Sequence, residues 1–168
     1  IRIETGRGTL NVRMTSKGRA EASMPAPKGL RLGLRLRALA RVHIVHCVDT
    51  GVPHAVVFVP NIETADVGGL GRALRSHKAF GKSGANVDFV QIKNKTLLLR
   101  TYERGVEDET PACGTGVVAA AFVARVLGRG ACPQRVKVRS GDIMSVSFDK
   151  AVRLEGPGEI VFKGEVDA

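Results

Sequence analysis

Short apolar runs, many of them rich in β-branched residues, follow one another along most of the chain. Glycine, asparagine, aspartate or proline separates the runs, as in TGRG, KNK, RSGD and EGPGE. This punctuation is typical of β-strands joined by turns. The pattern predicts strands at residues 1–5, 8–14, 30–36, 42–48, 55–59, 87–92, 96–102, 135–139, 144–148, 152–155 and 160–164.

The most basic stretch of the chain, LRLGLRLRALAR at residues 30–41, begins with leucine at every second position. Arg31 and Arg35 lie between these leucines. A period of two predicts a half-buried strand that turns its leucines inward and its arginines toward solvent.

Two segments have helical patterns. The first, at residues 66–79, begins at the N-cap residue Asp66 and places Val67 and Leu74 on one side, so it predicts a surface helix with one apolar stripe. The second, at residues 114–127, contains VVAAAFVARVL, in which Arg125 is the one polar residue, and it ends before Gly128. A helix that is apolar all round belongs in an interior.

Many strands and one apolar helix predict an α+β fold that is mostly antiparallel β-structure. We expect a barrel-like or strongly curled sheet around the central buried helix, with the other helix on the surface. The segment SMPAPKG at residues 23–29 is the best linker candidate, because two prolines and a glycine lie between strand patterns.

The length of 168 residues corresponds to one domain or slightly more. No apolar run reaches the roughly 18 to 20 residues that cross a bilayer, so a soluble cytoplasmic protein is expected. The chain opens on Ile1 without a methionine, in a sequence that reads as the middle of a β-rich protein. We therefore expect it to be a fragment.

The net charge of +10 comes from 26 Lys and Arg against 16 Asp and Glu. Such an excess indicates a nucleic acid, an anionic membrane surface or an acidic substrate as partner. Aromatic residues make up only 4%, without tryptophan, so the stacking surfaces of an RNA or single-strand binder are nearly missing. No nucleic acid or membrane partner is expected, and a basic nucleic-acid-binding module stays a distant alternative.

The three cysteines, Cys47, Cys113 and Cys132, are an odd number without a C-x-x-C pair. This spacing argues against a disulfide framework and against a zinc site, so no metal is expected. We interpret Cys47 and Cys132 as structural or incidental, because most lone cysteines behave as small hydrophobic residues.

Cys113 lies at the N-terminal edge of the apolar helix, where unpaired backbone N–H groups and the helix dipole favour negative charge. Its thiol is predicted to lose a proton more easily than a thiol in a plain apolar pocket. Gly114 and Gly116 lack side chains, so a substrate could approach the helix amides closely, and Thr115 adds a hydroxyl donor. The alternative is that Cys113 is a buried packing residue.

Three motifs resemble the diaminopimelate epimerase family, whose members are cofactor-independent isomerases that interconvert LL- and meso-diaminopimelate. The stretch YERGVEDETPACGTG at residues 102–116 resembles the second cysteine motif of that family. TGVPHAVVFV at residues 50–59 resembles its glycine-x-proline-histidine segment, and ANVDFVQI at residues 85–92 its asparagine strand. The order and spacing fit over nearly the whole chain.

The resemblance implies two similar halves, each a β-barrel around a helix, with the amino-acid substrate between them. One cysteine from each half faces the α-carbon: one removes the proton as thiolate, and the other, as thiol, protonates the opposite face. Cys113 matches the second cysteine, and the first is expected before Ile1. Residues 1–14 are then expected to belong to the preceding half and residues 15–168 to the second half. A return of the last residues to the first half and a homodimer are left open.

The resemblance also implies roles at the site. Cys113 is the catalytic residue, the amides of Gly114 and Thr115 hold the α-carboxylate, and no cofactor is expected. Without a pyridoxal electron sink, the carbanion must be stabilised electrostatically in a dry site.

The family's other polar positions correspond to Asn86, Glu103, Arg104 and His54. The first three would contact the polar ends of the substrate, and His54 would lie beside the reacting centre. Adjacent residues of a strand face opposite ways, so Glu103 and Arg104 can both reach the substrate only if the strand ends or bends there, which Gly105 permits. Without the cysteine motif, all four would be read as ordinary turn, strand-end or polar residues.

Two departures bear on the substrate. Val52 stands where many members have asparagine, and Pro111 stands where leucine or another non-proline residue is usual. A proline or hydroxyproline racemase, which also has a C-G-T-G cysteine, is the nearest alternative, although the charged pair in YERG favours diaminopimelate. A chain with half an active site could also be catalytically silent alone.

Overall fold

The computed structural model describes residues 1–5, 8–16, 18–158 and 164–165, which form twelve strands and two α-helices. The strands are β1 Arg2–Thr5, β2 Gly8–Ser16, β3 Arg19–Met24, β4 Lys28–Ala38, β5 Arg41–Asp49, β6 Pro53–Phe58, β7 Asn86–Lys93, β8 Thr96–Glu103, β9 Asp108–Thr110, β10 Gln134–Lys137, β11 Ile143–Phe148 and β12 Val152–Pro157. The helices are α1 Val67–Arg75 and α2 Gly114–Val126, with a 3-10 helix at Lys78–Phe80.

All twelve strands belong to one sheet, in the order β1-β2-β3-β12-β11-β10-β8-β7-β6-β5-β4, with β9 paired to β8. The pairs β6–β7 and β8–β10 are parallel, and the others are antiparallel. The prediction of a mostly antiparallel β-protein is therefore confirmed. Among the described strands β1 and β4 are edges, so the sheet is curled rather than closed into a barrel.

Helix α2 lies against one face of this sheet and contacts β5, β6, β7, β8, β10 and β11. A single helix can touch six strands only where the sheet wraps around it. Its residues from Gly116 to Ala121, with Val123 and Ala124, are buried. The enclosed apolar helix is thus confirmed: its exposed residues are Arg125 and Val126 in the C-terminal turn, the latter at 44% exposure, while Gly114 and Thr115 at its N-terminus are half-buried.

Helix α1 covers the opposite face of the sheet. The Asp66 carboxylate accepts a hydrogen bond from the amide of Gly69 at 2.8 Å, as expected of an N-cap. Val67 and Leu74 are buried against the sheet, and Gly71 lets the helix approach Tyr102 closely. The predicted helix at 66–79 is too long, because His77 takes an extended backbone conformation and its ring caps the separate 3-10 helix.

The strand predicted at residues 30–36 and its solvent-facing Arg31 and Arg35 are confirmed in β4, but the leucines do not all lie on one inward face. Gly29 and Gly33 have positive φ angles of 64° and 67°, and the pairing with β5 shifts register beside each of them. Such bulges change which face the following side chains occupy. Leu30 consequently packs on the α2 side of the sheet and Leu36 on the α1 side, whereas Leu32 is 42% exposed.

Strands β3 and β9 were not predicted. The linker candidate at residues 23–29 contains the end of β3 and the start of β4, so only Pro25, Ala26 and Pro27 lie outside strands. The predicted strand at 160–164 falls outside the described residues, apart from Gly164. Within the part of the chain that the structure describes, neither helix is long and apolar enough to span a bilayer.

Candidate active site

Four buried polar side chains on the α2 face of the sheet lie beside the N-terminus of that helix. Each lies an even number of residues along its strand from an apolar residue that packs against α2, namely Val56 in β6, Val90 in β7 or Leu99 in β8. Since every second side chain of a strand points to the same face, the polar side chains point at the same helix. They are His54, Asn86, Asp88 and Thr101, each at most 4% exposed.

Cys113 is the N-cap residue of α2, and its side chain makes no capping hydrogen bond. Its Sγ lies 3.4 Å from Oγ1 of Thr115, in the first turn of the helix. The side chain is 6% exposed, so the thiol is largely shielded from solvent.

The pKa of the Cys113 thiol is raised from an ordinary value of 9.0 to about 11, chiefly because burial disfavours the thiolate. The negative charges of Asp88 and Glu103 raise the pKa further, whereas the Thr115 hydroxyl and the amide of Gly116 lower it, because both can donate to the thiolate. The buried Cys47 thiol has a pKa of about 11 as well. The prediction that the helix end makes Cys113 more acidic than an apolar-pocket thiol is therefore wrong, since burial and like charges outweigh the helix amides.

His54 connects the helix to the sheet. Its Nδ1 lies 2.7 Å from Oδ2 of Asp88, and its Nε2 lies 3.0 Å from Oγ1 of Thr115. Nδ2 of Asn86 lies 3.4 Å from the same Nε2. Asp88 also accepts a hydrogen bond from the hydroxyl of Thr101 at 2.8 Å. A continuous hydrogen-bond network thus runs from Cys113 through Thr115 and His54 to Asp88.

Glu103 and Arg104 flank this network at the end of β8. The strand ends at Glu103, and Gly105 has a φ of 94°, so the expected end of the strand before this glycine is present. The backbone N–H of Arg104 donates to Oδ1 of Asn86 at 2.8 Å, and its guanidinium donates to the carbonyl of Ser83 at 3.3 Å. Glu103 is close enough to Cys113 for its charge to affect the thiol.

The structure therefore brings together all the site residues predicted from the sequence. Their side chains or backbone groups lie around the first turn of α2 and the adjoining ends of β6, β7 and β8. They are His54, Asn86, Glu103, Arg104, Cys113, Gly114 and Thr115.

Sequence reasoning did not select Asp88, Thr101 or Thr50. The Thr50 hydroxyl, which is fully buried, donates to the carbonyl of Thr115 at 2.9 Å and ties the β5–β6 turn to α2. The available signal was Asp88 itself: it is a charged residue in an apolar strand, and such a residue needs a buried partner. That signal does not reveal which partner it has.

The remaining cysteines lie elsewhere, and the two departures contribute backbone carbonyls to hydrogen bonds. Cys47 belongs to the apolar cluster on the α1 side of the sheet, and Cys132 is exposed. Val52 uses its carbonyl to accept from Thr50, and Pro111 uses its carbonyl to accept from Ser140. Among the residues that the structure describes, no three His, Cys, Asp or Glu side chains are grouped to bind a metal ion.

The curled sheet around a buried helix is a fold found in solved structures. The crystal structure of a probable proline racemase from Agrobacterium radiobacter K84 superposes with a TM-score of 0.72 at 17% identity, over 99% of this chain and 60% of that one. At this identity the likeness concerns the fold alone.

Sequence comparison identifies the family. The sequence profile of the diaminopimelate epimerase family matches residues 46–161, and the chain belongs to that family. It is 39% identical to the diaminopimelate epimerase of Chlorobaculum tepidum over 98% of this chain and 65% of the relative. It is 38% identical to that of Aquifex aeolicus over 99% of this chain and 61% of the relative. The chain thus spans somewhat less than two thirds of the length of these relatives.

Proposed function

We propose that this chain forms the second half of a diaminopimelate epimerase and that Cys113 transfers the α-proton of the substrate. The observation that carries the proposal is the position of the Cys113 thiol at the N-terminus of a buried helix, bonded to Thr115 and backed by His54. A packing cysteine would need none of these polar neighbours.

The α-proton of an amino acid is very weakly acidic, so the carbanion needs a site that stabilises negative charge. The backbone amides of Gly114 and Thr115, at the start of α2, are suited to hold the α-carboxylate while charge develops on it. Asn86, Glu103 and Arg104 lie at the adjoining strand ends, where an acidic and a basic side chain suit a substrate with two ammonium and two carboxylate groups.

The reaction needs a thiolate and a thiol on opposite faces of the α-carbon. The thiolate takes the α-proton and becomes a thiol, and the carbanion then takes a proton from the second thiol, which becomes a thiolate. The configuration is inverted, and no other reactant is consumed. The raised pKa of Cys113 favours its thiol form at neutral pH, which suits the residue that returns the proton.

The other cysteine is proposed to come from a preceding half of the same protein, because the chain spans only 65% of the Chlorobaculum relative. Residues 1–14 are assigned to that preceding half and residues 15–168 to the second half. Assembly as a homodimer and a cytoplasmic location stay predictions.

The test compares this chain alone with a longer protein that includes the preceding half, using LL-diaminopimelate and proline in deuterated water. The longer protein is expected to incorporate deuterium at the α-carbon of diaminopimelate and not of proline, and the chain alone is expected to be inactive. Turnover by the chain alone would contradict the two-half assignment, and preference for proline would favour the racemase alternative. A salt-sensitive gel shift on generic DNA or RNA would instead support the basic-module alternative.

A further inference from the structure

Asp88 is a buried carboxylate to which the proposed reaction assigns no role. It is fully buried in the middle of the sheet, and in the described part of the chain the one basic side chain within salt-bridge distance of it is His54, at 2.7 Å. Burying a carboxylate is costly unless it is paired and hydrogen-bonded. Both of its oxygens are used, Oδ2 by His54 and Oδ1 by the Thr101 hydroxyl.

The ionised carboxylate fixes the proton of the His54 ring. A carboxylate only accepts hydrogen bonds, so the nitrogen 2.7 Å away, Nδ1, must carry the hydrogen. In a neutral imidazole the other nitrogen is then a bare acceptor. Asp88 therefore makes Nε2 of His54 an acceptor.

Asn86 leads independently to the same tautomer. The backbone N–H of Arg104 can only donate, so the amide oxygen of Asn86 must face it, at 2.8 Å. The amide nitrogen of Asn86 then faces Nε2 of His54 at 3.4 Å. Because that nitrogen is only a donor, Nε2 must again be the acceptor.

The same order of donors and acceptors extends from His54 to Cys113. The Thr115 hydroxyl lies 3.0 Å from Nε2 and donates its one hydrogen to that nitrogen, which it shares as acceptor with the Asn86 amide. While Cys113 is a thiol, the Thr115 oxygen can then only accept from it, so the S–H bond points along the 3.4 Å contact to Thr115. The donors run in one direction, from Cys113 to Thr115, to His54, to Asp88.

We propose that Asp88 is a positioning residue of this site, which fixes His54 in the Nδ1–H form and thereby orients the Thr115 hydroxyl and the Cys113 thiol hydrogen. Gly116 makes room for it: a Cβ there would lie 2.6 Å from Oδ1 of Asp88. The second glycine after Cys113 thus lets the helix backbone lie against the carboxylate. The relevance to epimerisation rests on the proposed function, but the direction of the network does not.

The test is a long-range proton–nitrogen NMR correlation of the histidine rings in the labelled chain, with His54 assigned from a His54→Gln variant. At neutral pH the Nδ1–H form of His54 is expected to exceed the other tautomer by about tenfold or more, as a charge-assisted hydrogen bond implies. Asp88→Ala should reduce this preference clearly, leaving the longer 3.4 Å contact from Asn86 to favour the Nδ1–H form, and Asp88→Asn, which keeps an acceptor, should reduce it less. Thr101→Val, which keeps the carboxylate, should leave it in place.

An Nε2–H form of His54 in the unaltered chain would overturn the proposal, and so would an unchanged Nδ1–H preference in Asp88→Ala. If Asp88→Ala does not fold, the tautomer of the unaltered chain together with Asp88→Asn decides the question. The readout needs no turnover, so failure of this inference is distinguishable from failure of the proposed function.

Discussion

The hydroxyl of Thr115 lies 3.4 Å from the Sγ of Cys113, the thiol that the sequence motif singles out two residues earlier in the chain. The same hydroxyl contacts His54, and the Thr115 carbonyl accepts from Thr50. Thr115 is therefore the residue through which the end of α2 is joined to the sheet, and the ionisation of Cys113 should respond to substitutions on both sides of it.

The pKa of Cys113 should move in opposite directions in two variants. Asp88→Asn removes a negative charge that raises this pKa, so the pKa should fall below about 11. Thr115→Val removes a hydroxyl that can turn to donate to the thiolate and thereby lowers this pKa, so the pKa should rise.

Titrating the ultraviolet absorbance of the thiolate against pH measures the Cys113 pKa in both variants. The background carries Cys47→Ala and Cys132→Ser, so that Cys113 is the one thiol that remains. Asp142→Asn, a change at an exposed carboxylate that accepts a hydrogen bond from Ser140, is the matched control and should leave the Cys113 pKa unchanged. A pKa that rises in Asp88→Asn would contradict the electrostatic account.

Stability should decline in alkaline solution because of the two buried thiols. Cys47 and Cys113 have pKa values of about 11 in the folded chain, above the ordinary value of 9.0. Between these values the unfolded chain loses thiol protons that the folded chain keeps, so the free energy of unfolding falls as pH rises. Chemical denaturation at a series of pH values from 7 to 11 measures this decline in the free energy of unfolding. Replacing both residues by Ala should flatten the decline, whereas Cys132→Ala should not.

Two helical glycines should differ sharply when replaced by alanine. A Cβ at Gly116 would lie 2.6 Å from Oδ1 of Asp88, whereas a Cβ at the exposed Gly68 of α1 would meet nothing within 4 Å. Gly116→Ala is expected to destabilise by about 1–3 kcal/mol through overpacking. Gly68→Ala should be neutral or stabilising by up to about 1 kcal/mol, as helix propensity implies. Urea unfolding compares the two, and equal effects would argue against a tight helix–carboxylate contact.

The enclosure of α2 can be tested along the helix itself. Ala120 is fully buried, so Ala120→Leu should cost about 1–3 kcal/mol of unfolding free energy. Val126 of the same helix is 44% exposed, and Val126→Leu should change stability by less than about 0.5 kcal/mol. Similar effects at both positions, measured by thermal or urea unfolding, would mean that the helix is not enclosed.

The periodicity of the sequence predicts most of this fold, because strands and the apolar helix leave local patterns. Strand β3 escapes this reasoning because RAEASM has no apolar alternation, and all six of its residues are half-buried between β2 and β12. The leucines of β4 mislead because two bulges, at Gly29 and Gly33, change the face that each one occupies. Bulges depend on pairing with β5, which a single strand's pattern does not contain.

The candidate site likewise contains residues that local motifs predict and contacts that depend on the tertiary fold. Cys113, its flanking glycines and the end of β8 are marked by local motifs, and the structure places them together. The pairing of His54 with Asp88 joins residues 34 apart in the chain, through the parallel register of β6 and β7. The ionisation of Cys113 is also a tertiary property, because the helix end alone predicts a lower pKa than burial and the nearby carboxylates allow.

The most direct test of the central claim is the conversion of LL- to meso-diaminopimelate by the longer protein carrying Cys113→Ala, beside Cys47→Ala. Both cysteines are buried, at 6% and 5% exposure, so both variants should lose similar, small amounts of stability. If Cys113 transfers the α-proton, Cys113→Ala should reduce turnover by at least about 100-fold, the lower end of general acid–base contributions, while Cys47→Ala stays near the unaltered rate. A folded Cys113→Ala protein that epimerises at close to the unaltered rate would contradict the account.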